Sequence, residues 1–284
     1  MTTTTSTRSP ERDSFDSDID RVRAALGAGT RPPRPSAVST SFTFGWRALL
    51  KIKHVPEQLG DVTMFPIMFV LMFTYLFGGA LAGSTRDYLQ FLLPGVLVQT
   101  IVMITMYTGH TLNKEIHRGT FDRTRTLPIW QPTVFIGALL GDAARYTMAS
   151  TVILTLGLIL GFRPEGGLIG MLLGVGLVLI FSFSFSWIWT ALGLLMRSPE
   201  SLMGVSMMII FPVTFVSNIF VDPSTMPSWL QPVVEANPIS LLATAVRGLM
   251  AGEAPMFEVM WVLMASVVLV AVFGPVTSYI YRRK

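Results

Sequence analysis

The chain has 284 residues, of which 51% are hydrophobic and 13% are charged, and its formal net charge is +4. A soluble domain carries about 25% charged residues, so this composition excludes most soluble cytosolic enzymes. The sequence contains no cysteine, which excludes disulfides, thiolate nucleophiles and cysteine-ligated zinc or iron–sulfur centres. The basic residues lie beside apolar runs, so the positive charge indicates membrane topology rather than nucleic-acid binding.

Residues 1–40 are rich in threonine, serine, proline and mixed charge, without an apolar period. Such a segment buries too little apolar surface to offset the entropy of ordering, so it predicts a disordered cytoplasmic tail. No apolar stretch follows basic residues near Met1, and we therefore expect no cleaved signal peptide.

Residues 41–60 place Phe42, Trp46 and Leu49 at helical spacing, with Lys51 and other cations on the remaining faces. This pattern favours a helix in the membrane interface, with the tryptophan at headgroup depth and the cations on lipid phosphates. A polar lead-in to the first span is the alternative interpretation.

Six later segments approach the length needed to cross a bilayer, whose core of roughly 30 Å requires about 20 apolar helical residues. They predict an all-α integral membrane protein with one transmembrane domain over residues 41–284. In the third segment, Asp142 and Arg145 indicate that the embedded part begins near Ala144. The predicted spans are residues 62–82, 89–110, 142–161, 168–196, 202–221 and 257–280.

Lysine and arginine are unevenly distributed around these spans. Twelve lie on one side of the predicted spans: before span one, between spans two and three, between spans four and five, or at the C-terminus. Only three lie on the other side, in the remaining connections between spans. Because such cations favour the cytoplasmic side, both termini are predicted to lie in the cytoplasm. The twelve are Arg47, Lys51, Lys53, Lys114, Arg118, Arg123, Arg125, Arg145, Arg197, Arg282, Arg283 and Lys284, and the three are Arg86, Arg163 and Arg247.

Residues 181–186 alternate phenylalanine and serine, a period typical of a half-buried strand. A strand inside a long apolar run would leave backbone groups unpaired in lipid, so the segment is predicted to be helical. The helix places Phe181 over Phe185 and Ser182 over Ser186, as an aromatic stripe and a hydroxyl stripe.

The connection between spans two and three reads TLNKEIHRGTFDRTRTLPIWQP. We predict that the second span continues past the membrane as a helical stalk through Lys114 and Glu115, with Gly119 as its left-handed cap. A second short helix is predicted from Thr120, where an N-cap residue stands, to before Pro128. This basic projection is either a contact site for a partner or a solvated positive loop.

The connection before the last span contains an apolar stretch, residues 239–250, preceded by Asn237 and Pro238 at the N-cap and first helical positions. The predicted helix is about 18 Å long, which is too short to cross the membrane. It is predicted to dip into the outer leaflet and return, with Trp229 at the interface and Arg247 facing protein or water.

Motifs for catalysis are missing from the sequence: GxxxxGK[ST], HExxH, GxSxG and a glycine-rich dinucleotide turn do not occur. The sequence therefore predicts no catalytic site, cofactor site or metal site in this chain. Paired intramembrane carboxylates, which a proton-coupled carrier needs, are also missing. Asp142 and Arg145 are predicted to neutralise each other as a structural pair, with a proton relay as the alternative.

Spans two and five carry polar groups among methionine and aromatic side chains. An apolar, polarizable lining with a few hydrogen-bonding groups suits flat amphipathic organic molecules. Ordinary helix packing is an equally good interpretation of each residue alone. The predicted substrate path consists of Gln99, Met103, Met106, Thr214, Phe215 and Asn218.

Several blocks of the sequence carry a family resemblance. They are LKIKHVPEQLGDVTMFPIMFVLMFTYLFGGALAGS, YLQFLLPGVLVQ, FDRTRTLPIW, GVSMMIIFPVTFVSNIFVDPSTMPSWLQP and ANPISLLATAVRGLM. On these blocks, the chain from about Ala37 to the C-terminus resembles the membrane subunit of ABC-2 type exporters, and more closely the daunorubicin/doxorubicin-resistance branch. The NP…R…L pattern in the last block is typical of the whole family.

The resemblance implies the ABC-2 (type V) exporter fold: six transmembrane helices, an N-terminal interfacial helix, a cytoplasmic coupling helix over residues 120–127, and short extracellular re-entrant helices. It also implies a separate ATP-binding subunit that holds ATP and magnesium, with two copies of each subunit in the exporter. It assigns contact with that subunit to Phe121, Asp122, Arg123 and Arg125. It assigns the re-entrant role to Pro227, Trp229, Asn237, Pro238 and Arg247.

The resemblance predicts a permease that exports an amphipathic, anthracycline-like drug or secondary metabolite across the bacterial plasma membrane and so gives antibiotic resistance. An ABC-2 exporter of polysaccharide or lipid is the alternative, because it shares the same architecture. A path lined by methionine and phenylalanine favours the drug, whereas a wide, hydroxyl-lined path would favour the polysaccharide.

Overall fold

The computed structural model describes Arg21 and residues 56–117 and 132–283. Within these ranges the chain forms helices and connecting turns, without strands. Several predictions lie outside the described residues: the rest of the tail, the interfacial helix up to residue 55, the cap at Gly119, and the coupling residues Phe121, Asp122, Arg123 and Arg125.

The helices of the described chain differ widely in length. Left-handed glycines follow α1, α3 and α7, at Gly83 (φ 72°), Gly161 (φ 104°) and Gly252 (φ 81°), a conformation that strains residues with a β-carbon. A short 3-10 turn, Pro223–Thr225, lies between α5 and α6. The helices are α1 (Pro56–Ala82), α2 (Thr85–His117), α3 (Pro132–Leu160), α4 (Gly167–Leu195), α5 (Pro199–Phe215), α6 (Gln231–Ala236), α7 (Pro238–Ala251) and α8 (Met256–Arg283).

Five helices of the described chain are long and apolar enough to cross a membrane: α2 and α4 over their whole length, α1 from Met64 onward, α3 from Gly141 onward and α8 as far as Ile280. The all-helical class is thereby confirmed. α5 has 17 residues and ends at Phe215, whereas the sequence pattern predicts a span through Val221. The predicted fifth span is therefore a shorter helix followed by a non-helical segment, residues 216–221.

Helix α2 is the central helix of the bundle. It packs against α1, α3, α4, α5 and α7, and most of its apolar side chains are buried. By contrast, α1 and α8 expose most of their length, as expected for helices whose outer faces meet lipid rather than protein. Residues on α2 are therefore the ones that most other helices can contact.

The two ends of the bundle are built differently. At one end, which we call the loop end, residues 216–255 pack over the start of α2 and the turn between α3 and α4. At the other, which we call the stalk end, residues 110–117 of α2 lie beside the turn between α4 and α5. The prediction that α2 stays helical through Lys114 and Glu115 is confirmed, since the helix ends at His117.

The alternating segment 181–186 lies inside α4 and is helical, as predicted. The rings of Phe181 and Phe185 stack with their centroids 5.7 Å apart. The hydroxyl of Ser186 donates to the carbonyl oxygen of Phe183 at 2.7 Å, so the helix itself satisfies it.

Candidate transport and coupling site

The short apolar helix α7 forms at the loop end with the caps that the sequence predicts. The side chain of Asn237 accepts a hydrogen bond from the backbone N–H of Ile239 at 2.9 Å, and Pro238 occupies the first helical position. The helix has 14 residues, which makes it about 21 Å long and shorter than a bilayer core. Its re-entrant placement in the membrane stays a prediction.

Asn237 also holds the end of α5. Its Nδ2 donates to the carbonyl oxygens of Val213 at 2.7 Å and Val216 at 2.6 Å. These carbonyls belong to the last turn of a helix, where intrahelical donors run out. One side chain therefore caps the start of α7 and the end of α5.

Arg247 faces protein, one of the two surroundings that the sequence predicts for it. Its Nε donates to the carbonyl oxygen of Phe91 at 2.9 Å, and its Nη2 donates to those of Asn218 at 2.8 Å and Ile219 at 3.0 Å. Its guanidinium lies 3.9 Å from the centroid of the Phe91 ring. A β-carbon at Gly95 would lie 2.7 Å from the Ile219 carbonyl oxygen, so a glycine on α2 lets the non-helical segment approach.

An acidic residue stands at the edge of this network. Asp222 accepts a hydrogen bond from the backbone N–H of Ser224 at 2.8 Å. Hydrogen bonds from Ser224 hold the pKa of Asp222 below its ordinary value, with a smaller contribution from the charge of Arg247. The carboxylate is thus kept ionised near the Arg247 guanidinium.

The other predicted re-entrant residues are exposed. Trp229 is 73% exposed, and Pro227 is exposed as well, in the turn that precedes α6. This exposure fits the predicted position of the tryptophan at the membrane interface. Their role stays a prediction.

On α2, the predicted path residues differ in burial. Gln99 is 3% exposed, and neither its Nε2 nor its Oε1 has a hydrogen-bond partner among the described residues. Met106 is buried and Met103 is partly buried. A buried amide without a partner is costly, so Gln99 stands out chemically among the polar groups of this helix.

On and after α5, the predicted path residues are occupied by local contacts. The Thr214 hydroxyl donates to the carbonyl oxygen of Ile210 at 2.8 Å, and Asn218 Nδ2 donates to Thr244 Oγ1 at 2.8 Å. Phe215 is 48% exposed and stacks on Phe211 with ring centroids 4.7 Å apart. The structure packs α5 against α2, which brings the two helices of the predicted path together.

An open apolar groove lies where α5, α6 and α7 meet. Its volume is about 640 Å³. The residues that line it are Pro212, Val213, Val216, Pro232, Val233, Ala236, Asn237 and Pro238.

The predicted ion pair between Asp142 and Arg145 is present. The Thr108 hydroxyl of α2 donates to Asp142 Oδ2 at 2.7 Å. The carboxylate therefore joins α3 to α2, consistent with a structural role. Among the described residues, no group of three or more His, Asp or Glu side chains is arranged to hold a metal ion.

The stalk contains a residue that the sequence analysis missed. Lys114 is exposed and Glu115 is partly buried, but their neighbour Asn113 is buried and its Nδ2 donates to the carbonyl oxygens of Gly193 at 2.7 Å and Met196 at 2.9 Å. The only signal in the sequence is one asparagine among apolar and charged residues. That signal does not identify the helix end that the asparagine caps.

Comparisons with known proteins agree on one family. The family model for ABC-2 type transporters matches residues 41–251. The daunorubicin resistance ABC transporter permease protein DrrB1 of Streptomyces coeruleorubidus is 52% identical over 264 residues, which cover 93% of each chain. The probable doxorubicin resistance ABC transporter permease protein DrrC of Mycobacterium tuberculosis is 24% identical over 190 residues, or 66% of this chain and 68% of the relative. This chain therefore belongs to the ABC-2 type transporter family, as a membrane permease subunit.

Proposed function

We propose that this chain is the membrane-spanning subunit of an ATP-driven exporter that moves an amphipathic, anthracycline-like drug or secondary metabolite out of the cell. The observation that carries the proposal is the 52% identity, over 93% of both chains, to a permease named for daunorubicin resistance. That similarity extends across the loop end, α2 and α5, which hold the predicted path. The alternative of polysaccharide or lipid export has no comparable support.

The energy source in this proposal is a separate ATP-binding subunit, which family membership implies. The sequence has no phosphate-binding motif GxxxxGK[ST] of its own, so we assign ATP and magnesium to that partner. Two copies of each subunit would form the exporter. The contact with the partner is proposed at Phe121, Asp122, Arg123 and Arg125, next to the stalk residues Lys114 and Glu115.

The proposed orientation places the stalk end in the cytoplasm and the loop end outside a bacterial plasma membrane, with both termini cytoplasmic. It is supported by the excess of lysine and arginine near the stalk end. In this layout α5 and residues 216–221 together form the fifth of six crossings. The helix covers part of the bilayer, and Asn237 and Arg247 satisfy backbone carbonyls beyond it.

The function is tested by reconstituting the chain with its ATP-binding subunit into proteoliposomes and following the fluorescence of daunorubicin. We expect ATP-dependent accumulation of the drug in vesicles whose stalk end faces outward. The control is an ATP-binding subunit in which the phosphate-loop lysine is replaced by alanine. Transport of a lipid or polysaccharide without transport of daunorubicin would overturn the proposal.

A further inference from the structure

Asn113 is one of the most deeply buried polar residues of the described chain, at 1% exposure. Helix α4 ends at Leu195, and its last carbonyl groups have no donors within the helix. Asn113 of α2 supplies a donor there, because its Nδ2 donates to the carbonyl oxygens of Gly193 and Met196. Asn113 lies 80 and 83 residues before these two acceptors in sequence. One amide therefore joins α2 to the end of α4.

The contact around Asn113 is close over a longer stretch of α2 and α4. One turn earlier, a β-carbon on Gly193 would lie 2.7 Å from the carbonyl oxygen of Gly109, so the two backbones touch. One turn before that, Trp189 Nε1 donates to Thr105 Oγ1 at 2.8 Å. Thr105, Gly109 and Asn113 are four residues apart and lie on one face of α2. The two helices are thus held together along about 12 Å.

The contact joins the stalk of α2 to the turn between α4 and α5, and movement has to pass between these two elements if ATP hydrolysis is to drive transport. α2 leads into residues 118–131, which include the proposed contact with the ATP-binding subunit. α4 leads through the turn 196–198 into α5, whose first turn is fixed by the Ser198 side chain, which accepts a hydrogen bond from the backbone N–H of Ser201 at 3.2 Å. Because this turn is short and capped, a displacement of the end of α4 reaches α5 directly.

We propose that Asn113 is a positioning residue of the transport cycle: it makes the stalk and the α4–α5 turn move as one body, so that a pull on the stalk displaces α5. The inference rests on the proposed function, because it assumes that the ATP-binding subunit acts on the stalk. It assigns to Asn113 the transmission of movement rather than contact with the drug.

The first test measures drug transported per ATP hydrolysed, with the chain and its ATP-binding subunit in proteoliposomes. Asn113→Ala removes both hydrogen bonds, and we expect transport per ATP to fall about three- to tenfold while ATP hydrolysis stays within about twofold of the parent. The matched control is Thr105→Val, which removes the acceptor of Trp189 from the same interface without touching the α4–α5 turn. An equal fall for both variants, or no fall for Asn113→Ala, would overturn the proposal.

The second test uses the absence of cysteine from the sequence. His117→Cys and Arg197→Cys, both exposed positions, are joined within one chain by a short bismaleimide. If the stalk and turn move together, the cross-link leaves transport per ATP unchanged in the parent and restores it in Asn113→Ala. Loss of transport in the cross-linked parent would contradict the proposal, even if Asn113→Ala did not fold.

The two proposals can fail separately. A parent complex that couples ATP hydrolysis to a different substrate, and keeps that coupling when cross-linked, would overturn drug export but support the role of Asn113. A parent complex that exports daunorubicin, but loses this transport when it is cross-linked, would support drug export and overturn the role of Asn113.

Discussion

Arg247 brings a positive charge into the loop end and satisfies it with backbone carbonyls and an aromatic face. Its three acceptors are the carbonyl oxygens of Phe91, Asn218 and Ile219. Two of these belong to a non-helical segment, whose carbonyls have no donor from a helix of their own. The guanidinium therefore fixes a stretch of irregular backbone against α2, which a membrane protein tolerates only where such groups are satisfied.

We predict that Arg247→Met lowers the free energy of unfolding by about 2–5 kcal/mol, because it removes the donor of the carbonyl oxygens of Asn218 and Ile219, which belong to no helix. The measurement is unfolding in mixed micelles of increasing denaturing detergent, followed by circular dichroism. Arg163→Met is the matched control, since Arg163 is an exposed arginine that also donates to carbonyls; we expect a loss of less than about 1 kcal/mol. Equal losses for the two variants would contradict the assignment.

Gln99 contrasts with the second glutamine of the same helix. Gln90 donates to the carbonyl oxygen of Gly161 at 3.3 Å and accepts from the backbone N–H of Arg163 at 3.2 Å. Gln99 is buried and has no hydrogen-bond partner in the part of the chain that the structure describes. Burying an amide without a hydrogen-bond partner costs free energy, because the amide loses its bonds to water. A substrate that bonds to the Gln99 amide would offset this cost, so Gln99 is a candidate ligand contact.

We predict that Gln99→Leu weakens daunorubicin transport about tenfold while raising the free energy of unfolding by about 1 kcal/mol. Gln90→Leu is the control. It should lower the free energy of unfolding, because it removes both hydrogen bonds of Gln90, and it should leave the ratio of transport rates among different drugs unchanged. Both variants are measured by drug efflux and detergent unfolding. A Gln99→Leu protein with the transport profile of the parent would remove Gln99 from the path.

At the scale of elements, the packing of α2 on α4 depends on glycines that allow the backbones to touch. Gly109 and Gly193 face each other, and a β-carbon on Gly109 would clash with the carbonyl group of Trp189. Close approach of small residues is a main source of helix association in membranes, where lipid offers no hydrophobic driving force between helices. The pair determines how near the stalk and the α4–α5 turn can lie.

We predict that Gly193→Ala lowers the free energy of unfolding by about 1–3 kcal/mol, because the new β-carbon would lie 2.7 Å from the Gly109 carbonyl oxygen. Gly176→Ala on the same helix is the control, since a β-carbon there would meet no atom within 4 Å. That change should be neutral or stabilising, because alanine favours a helix by up to about 1 kcal/mol over glycine. Detergent unfolding distinguishes the two, and a loss for both variants would mean that the contact is not specific.

The joint between α5 and α7 explains why the helix of the predicted fifth span ends at Phe215 rather than at Val221. Residues 202–221 are apolar throughout, so their hydropathy predicts one continuous helix. In the structure, Asn237 binds the carbonyls of Val213 and Val216, and Arg247 binds those of Asn218 and Ile219. Side chains from a later helix thus replace the donors that a longer α5 would have supplied.

At the scale of the whole molecule, the orientation can be tested with single cysteines, because the sequence contains none. His117→Cys at the stalk end and Ser228→Cys at the loop end are both exposed positions. In intact cells, we expect a membrane-impermeant maleimide to label Ser228→Cys and to label His117→Cys only after permeabilisation. Labelling of His117→Cys in intact cells would reverse the proposed topology.

The sequence by itself determined the class of molecule and much of its segmentation. Scarce charge and long apolar runs require helices, because a bilayer leaves no solvent to pair backbone groups. Local signals then identified α7 and its caps at Asn237 and Pro238, the helical stalk through Glu115, and the ion pair of Asp142 with Arg145. These features depend on residues a few positions apart.

The tertiary structure decided which polar groups meet across the bundle. Asn113 with the end of α4, Arg247 with the segment after α5, and Gly109 with Gly193 are contacts between residues far apart in sequence. Apolar periodicity cannot predict them, because in a membrane nearly every helix face is apolar and the pattern does not indicate which face is buried. Hydrogen-bond geometry and backbone approach determine the partners, and both require the packed bundle.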